Sequence, residues 1–424
     1  MKTLLVIGFI WAACALAWVV LGSAIVMRTG ETTTALDLSV QALWGPPRVQ
    51  VPPRAFFRET QRVNEKVISY DAQNRPFSSL VERDAVTEHD ISLERSDIVT
   101  RFALEHRRKG LLWFPTYELE FKGRYAFQNN TSEARDIEMV FYLEKGNVIY
   151  DGFTIQTEDQ RSVENEIRNA EAVWSQRLLP GETRAYVVSY KSRGIATWHY
   201  GDRKSGFAGG AGRARNFDLS METNFTDVDF PPGTLSPSRR EATPRGWSGR
   251  WKFDSIVTSA PIGIELPQKL NPGPLASKIT FFAPVGLLFF FFAVAVTAIV
   301  QGRSIHPMNY FFFGCAFFAF HLLFAYLIDH LAIMPSFALA SAVSVFLVVT
   351  YARLFVGWRF ALREMALSQL VYLVLFSFTF FWQGFTGLAI TIGAILTLFI
   401  MMQITGRHDW RKAGSTRVAA SPSS

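Results

Sequence analysis

Residue types able to do chemistry are sparse in this chain and rarely fall at spacings that chemistry uses. His321 comes first: it lies inside a long apolar run, and an ionisable side chain in hydrocarbon is by default a functional candidate. No Asp, Glu, Lys or Arg shares any apolar run with it to relay a proton, and a neutral imidazole also serves simply by bonding a neighbouring helix. Asp227 and Asp229 alternate on one side of an extended stretch, but two carboxylates are too few for a calcium site. His89, His106 and His199 are scattered, and neither a His-Glu-x-x-His pair nor a Gly-x-Ser-x-Gly elbow occurs. The Gly-rich run Ser205–Arg215 lacks the Gly-Lys-Ser/Thr ending of a phosphate loop and reads as surface loop. The two cysteines, Cys14 and Cys315, both lie in apolar runs, so neither a disulfide scaffold nor a four-cysteine zinc site is open to the rest. The expectation is a protein without catalytic, cofactor-binding or metal-binding residues, with His321 the candidate inside the membrane.

The elements that would position these residues divide sharply. Five apolar runs, Ile279–Val300, Met308–Ile328, Leu331–Ala352, Met365–Trp382 and Phe385–Ile404, are long enough to cross a bilayer, and Leu4–Met27 is a sixth. Uncharged runs of this length satisfy their backbone amides only as helices. If the N-terminus is cytoplasmic, then Lys2, Arg303, Arg353, Arg359, Arg363, Arg407, Arg411, Lys412 and Arg417 fall inside, while the short outer hinges carry only Asp329-His330 and Gln383-Gly384. That is the positive-inside distribution, and it places residues 28–278 on the far side of the membrane. The first run exceeds a secretory signal in length, which favours an uncleaved anchor. The sequence therefore divides into an anchor (1–27), an outer domain (28–278), a five-helix block (279–404) and a basic cytoplasmic tail (405–424).

The formal charge of +7 follows from this threading. The outer domain is nearly balanced, so the basic residues mark topology and contact with anionic headgroups rather than nucleic acid. Within the outer domain a two-residue period dominates. Tyr117, Leu119, Phe121, Tyr125 and Phe127 share one face and Glu118, Glu120, Lys122 and Arg124 the other, the mark of a strand with one buried side. Ile137–Leu143 and Phe217–Met221 repeat it, and Leu36, Leu38 and Val40 suggest an earlier strand. Short strands bounded by turn residues predict an antiparallel β-sandwich-like domain. One amphipathic helix is expected over Glu158–Gln176, where Val163, Ile167, Ala170 and Trp174 fall near helical spacing. Gly286, Gly384, Gly387 and Gly393 offer places for close helix contact.

The run Ile305-His306-Pro307-Met308-Asn309-Tyr310, following an apolar crossing, resembles that of the CreD family of bacterial inner-membrane proteins. Phe217-Asp218-Leu219-Ser220-Met221, Asn224-Phe225, Phe230-Pro231, Leu235, Arg239-Arg240-Glu241 and Trp251 are similar too, as is Thr405–Trp410. The likeness runs from about Asn216 to Trp410; the first part of the outer domain departs from the pattern. The resemblance implies an inner-membrane protein with a large periplasmic β-rich domain, tied to envelope integrity, stress response and colicin tolerance. The family offers no catalytic residues to carry over, and His306, Pro307, Met308 and Tyr310 are its recognisable motif here.

The function expected is that of a non-enzymatic envelope protein whose outer domain binds an envelope protein or lipid partner and whose helices hold it in the bilayer. A transporter or lipid-handling protein built on the helix block and His321 is the alternative. A hydrolase using Asp227, Asp229 or His199 is a third reading.

Overall fold

The computed structural model describes residues 2–70, 76–201, 213–382 and 384–406. Ser205–Gly212 of the Gly-rich loop and the tail from Arg407 lie outside the described residues. The chain forms two compact units, one of residues 1–35, 110–112 and 270–424, the other of residues 36–109 and 113–269.

Six helices are long and apolar enough to cross a membrane. They are α1 (Lys2–Trp44), α2 (Pro272–Val300), α3 (Pro307–Leu327), α4 (Ile333–Val356), α5 (Trp358–Phe381) and α6 (Thr386–Thr405). The six apolar runs are therefore all helical. Two boundaries differ from expectation. Helix α1 does not stop at Met27 but continues to Trp44, so the alternating Leu36, Leu38 and Val40 lie on a helix and not a strand. Helix α5 starts at Trp358, just after Gly357 with φ of 79°, so Arg359, Arg363 and Glu364 lie in its first turns rather than in a hinge. Wider π turns occupy Ala361–Met365 and Leu370–Leu375 of this span.

The core of the membrane unit is largely aromatic. Phe290, Phe317, Phe320 and Phe324 are fully enclosed, and Trp18 of α1 is buried with them. Where no water competes, such packing and a few polar ties hold helices together. The Trp11 indole donates to the Pro284 carbonyl at 2.8 Å. Gln369 Nε2 donates to Ser344 Oγ at 2.8 Å, and Ser344 donates to the Ala316 carbonyl at 2.6 Å; this short chain ties α5 to α4 and α4 to α3. Arg28 donates to the Ala325 carbonyl in the last turn of α3 and pairs with Asp329 at 3.0 Å, a cation placed where the helix dipole favours one. Of the four glycines, Gly286 does sit against a neighbour, the Tyr372 carbonyl, but Gly387 and Gly393 have nothing within 4 Å.

The second unit is built from strands β1 (Arg48–Gln50), β2 (Arg54–Tyr70), β3 (Pro76–Lys109), β4 (Leu112–Gln128), β5 (Arg135–Tyr142), β6 (Tyr150–Thr157) and β7 (Glu166–Arg168). The rest are β8 (Glu171–Leu178), β9 (Thr183–Ile195), β10 (Thr197–Tyr200), β11 (Arg213–Thr223), β12 (Arg239–Thr243), β13 (Gly246–Val257) and β14 (Ile262–Glu265). Among the described residues they form a three-stranded sheet, β1-β10-β14, and an eleven-stranded one. The larger follows the path β12-β13-β11-β3-β2-β5-β8-β7, with β4 joining β3 to β9 and β9 joining β6. Most ladders are antiparallel as expected, but β1 with β10 and β11 with β3 are parallel.

The period-two reading of β4 holds. Tyr117, Leu119, Phe121, Tyr125 and Phe127 are in the core, and Glu118, Glu120 and Lys122 point out. Gly123 occupies the one core-side position in this run without a side chain, and the Tyr125 ring folds over it so closely that a methyl would collide. Glu158–Gln176 is not a helix. Asn169 and Ala170 have φ of 53° and 64°, the left-handed pair of a two-residue hairpin turn, and they join β7 to β8. Trp174, placed on the presumed apolar helix face, is instead a core residue of β8.

Candidate functional site

Two polar constellations stand out in the β unit. The first is buried. Arg48, only 3% exposed, follows Gly45-Pro46-Pro47 and sits on β1, held beside β10. Its Nε donates to Glu144 Oε2 and its Nη1 to Ser192 Oγ at 2.5 Å. Its guanidinium lies 5.0 Å from the Tyr150 ring centre. The Val49 amide donates to the other Glu144 oxygen at 2.5 Å, and Ser192 donates to the Ile149 carbonyl at 2.6 Å. Next along β1, the Tyr190 hydroxyl donates to Gln50 Oε1 at 2.6 Å. Each buried polar group here thus has a partner, as a dry interior demands. Burial pushes the Glu144 carboxyl above the ordinary carboxylate range, and Arg48 and the Val49 amide offset that only in part. Gly194 makes the close approach possible, since a Cβ there would meet the Tyr117 ring and Arg48 Cγ. This is a structural tie between β1 and the sheet, and two of its members, Tyr150 and Ser192, also border an open cleft.

The second constellation is open. Two adjoining clefts of about 480 and 570 Å³ lie over β3, β4, β9 and β6, sharing Arg101, Glu120, Asp151 and Lys191. Alternation along each strand turns these charged side chains outward. Lys191 pairs with Glu120 at 2.7 Å, Arg193 with Glu118 at 3.2 Å and Arg101 with Glu222 at 2.9 Å. The side-chain hydrogen bond from Lys191, and then its charge, hold the Glu120 carboxyl below the ordinary range. The result is a shallow trough in which cations and anions alternate, chemically suited to a polar, extended ligand. In the sequence alone Glu118, Glu120 and Lys122 mark simply the wet face of a strand. The signal available was the clean alternation of Glu118, Glu120 and Lys122, but nothing local showed which strands would be neighbours.

The residues singled out from the sequence do not converge. His321 is buried in the membrane unit, its Nδ1 2.9 Å from the Phe317 carbonyl and its ring edge-on to Trp18 and Phe320. Asp227 and Asp229 are exposed; Asp229 caps the Phe230 amide at 2.8 Å. His106 meets the Pro267 carbonyl at 2.8 Å, and His89 stacks on Phe57. Among the described residues no group of three or more His, Cys, Asp or Glu is placed to hold a metal ion.

The motif His306-Pro307-Met308-Asn309-Tyr310 proves to be a helix start. His306 Nδ1 accepts the Met308 amide at 3.2 Å, and Pro307 takes the first turn of α3, where a missing N–H costs nothing. Asn309 Oδ1 accepts from the Tyr351 hydroxyl at 2.9 Å, and buried Tyr310 packs edge-on against Phe291 at 5.2 Å. The β-unit part of the motif is a packing cluster: Phe217, Leu219, Met221 and Trp251 are core residues, and the Trp251 indole donates to the Leu235 carbonyl at 2.8 Å.

Six apolar helices and a large β unit define a polytopic membrane protein carrying a substantial β-rich domain. Residues 211–411 match the model of the family described as inner membrane protein CreD, close to the limits of the resemblance carried by Asn216 to Trp410. No curated protein matches the chain. Among solved structures, a Legionella pneumophila protein described as nutrient binding aligns at 10% identity and a TM-score of 0.33, covering 59% of this chain and 95% of its own. An M1 zinc metallopeptidase of Deinococcus radiodurans aligns at 10% identity and a TM-score of 0.25, covering 67% and 94%.

Proposed function

We propose that this chain is a non-enzymatic inner-membrane protein supporting envelope integrity under stress. Its β unit, sandwich-like and on the periplasmic side, binds a polar component of the envelope along the charged trough. Both termini are then cytoplasmic. The observation carrying this reading is the trough: outward rows of Arg101, Lys191 and Arg193 against Glu118, Glu120 and Asp151 on a broad sheet. The match of residues 211–411 to the inner membrane protein CreD family supports the envelope setting. The test is complementation of a deletion strain challenged with a panel of membrane-active agents. Arg101→Glu with Lys191→Glu should fail to complement while the protein remains folded and membrane-inserted. Full complementation by that variant would discard the trough as the binding face. Orientation is tested separately by thiol labelling of single cysteines, such as Thr60→Cys, in spheroplasts; labelling only after membrane lysis would reverse the topology.

A second reading, transport or lipid handling through the helix block, draws on His321. Its Nε2 is buried with no hydrogen-bond partner among the described residues, which is costly in hydrocarbon. Purified protein in liposomes that moves neither ions nor lipid, with or without His321→Phe, removes it.

A further inference from the structure

Strands β2 and β3 run together as an antiparallel hairpin from Ala55 opposite Ile91 to Tyr70 opposite Pro76. Only Arg54–Phe56 of β2 also pair with β5. Among the described residues, β2 beyond Phe56 meets no strand but β3. The arm so formed extends for about 40 Å at ordinary strand rise. A lone two-stranded ribbon is marginal in water, and its free edge is a standing invitation to association.

Pairing in register places even-numbered residues of both strands on one face, and the charges on that face are sorted by strand. On β2 it carries Arg54, Arg58, Arg62 and Lys66 and no acid; on β3 it carries Glu82, Asp84, Glu88 and Asp90 and no base. The same face exposes Val86, opposite Thr60, at 58%, and nearer the tip Leu80 and Ile68 at 71% and 64%. Near the base the charges are used within the chain: Arg54 binds Asp90 at 2.5 Å and Arg58 reaches Glu138 at 2.9 Å. Further out they are looser, with Arg62 and Asp84 3.8 Å apart and both well exposed.

We propose that this face of the arm is a self-complementary docking surface for a second copy of the same chain. A two-fold axis running along the ribbon, between two arms laid face to face, puts the basic strand of each copy over the acidic strand of the other. It also apposes the two sets of exposed Ile68, Leu80 and Val86. Both arms then point the same way. The interface is isologous, the same patch meeting itself, and the charge sorting sets its register. It lies apart from the trough and does not depend on what the trough binds.

The test uses the full chain in membranes with Cys14→Ala and Cys315→Ala, so that Ile68→Cys is the only thiol. A short bismaleimide should then give a covalent dimer. Arg62→Glu with Lys66→Glu, or Glu82→Lys with Asp84→Lys, should each lower that product about tenfold through like-charge apposition. Co-expression of these two variants under different tags should restore a mixed dimer. The fourfold variant reversing both strands keeps the ladder within each hairpin and should dimerise as the parent does, which separates lost docking from lost folding. No product from the parent, a product indifferent to the reversals, or a fourfold variant that stays monomeric would overturn the proposal. So would crosslinking to some other protein in place of a second copy.

Discussion

The Arg48 guanidinium donates to the Glu144 carboxylate while lying over the Tyr150 ring, which ties the first strand after α1 to the segment that follows β5. Removing one member of a buried ion pair strands the other, at a cost of about 3–5 kcal/mol. Arg48→Ala and Glu144→Ala should therefore each lower unfolding stability by roughly that much, read from tryptophan fluorescence during chemical denaturation in detergent. Arg48→Met combined with Glu144→Leu should cost less than either single change, because no charge is left alone. A double variant as unstable as the sum of the singles would show that the pair matters for its packing and not its charge.

Alkaline pH should loosen the β unit. Burial pushes the Tyr186 hydroxyl up to about 12 and moves Tyr117, Tyr125, Tyr190 and Tyr200 upward as well. An unfolded tyrosine ionises near ~10. Because folding raises these values, the folded state holds the protons more tightly. The stabilisation is complete below ~10 and is lost as pH climbs through the folded values. Phenolate absorbance should lag behind that of free tyrosine and then rise together with loss of structure. Smooth ionisation of all the tyrosines near ~10 in a still-folded protein would contradict this.

The acid side is governed differently. The Leu179 amide, and after it Arg184, hold the Glu182 carboxyl below the ordinary range. Folding lowers this value, so its contribution is present above the usual carboxylate pKa of ~4.3 and fades as pH falls below it. Glu182→Gln should lose stability at neutral pH and show a shallower decline on acidification than the parent. Identical acid profiles for the two proteins would remove Glu182 from the account.

The membrane helices were legible because a run of apolar residues has almost no other physical outcome. Ile279–Val300 and Phe385–Ile404 differ from the observed helices mainly at their ends. The extension of α1 was not, since Thr32-Thr33-Thr34 and the alternating Leu36, Leu38 and Val40 look strand-like, while a helix already nucleated in the preceding run propagates cheaply. Glu158–Gln176 misled in the opposite sense: Val163, Ile167, Ala170 and Trp174 mimic a helical stripe, and only the backbone at Asn169 and Ala170 reveals a hairpin. Arg48 stands between Pro47 and Pro52-Pro53 with no local sign of burial, and its burial depends on Glu144 and Ser192 far along the chain. The trough has the same cause of concealment: the alternation was visible, but the neighbour of each strand was not.

Inside the membrane unit, the chain from Gln369 through Ser344 to the Ala316 carbonyl predicts an asymmetry. Ser344→Ala removes the acceptor from a buried amide that has no water to turn to, at roughly 0.6–2 kcal/mol. Gln369→Leu removes the amide instead and leaves Ser344 still donating to Ala316, so nothing buried is stranded. Ser344→Ala should therefore lower the thermal midpoint in detergent more than Gln369→Leu, and adding Gln369→Leu to Ser344→Ala should recover part of the loss. If Gln369→Leu proves the more damaging, the amide oxygen is engaged elsewhere in the bundle and the three-helix tie is not the chief role of this residue.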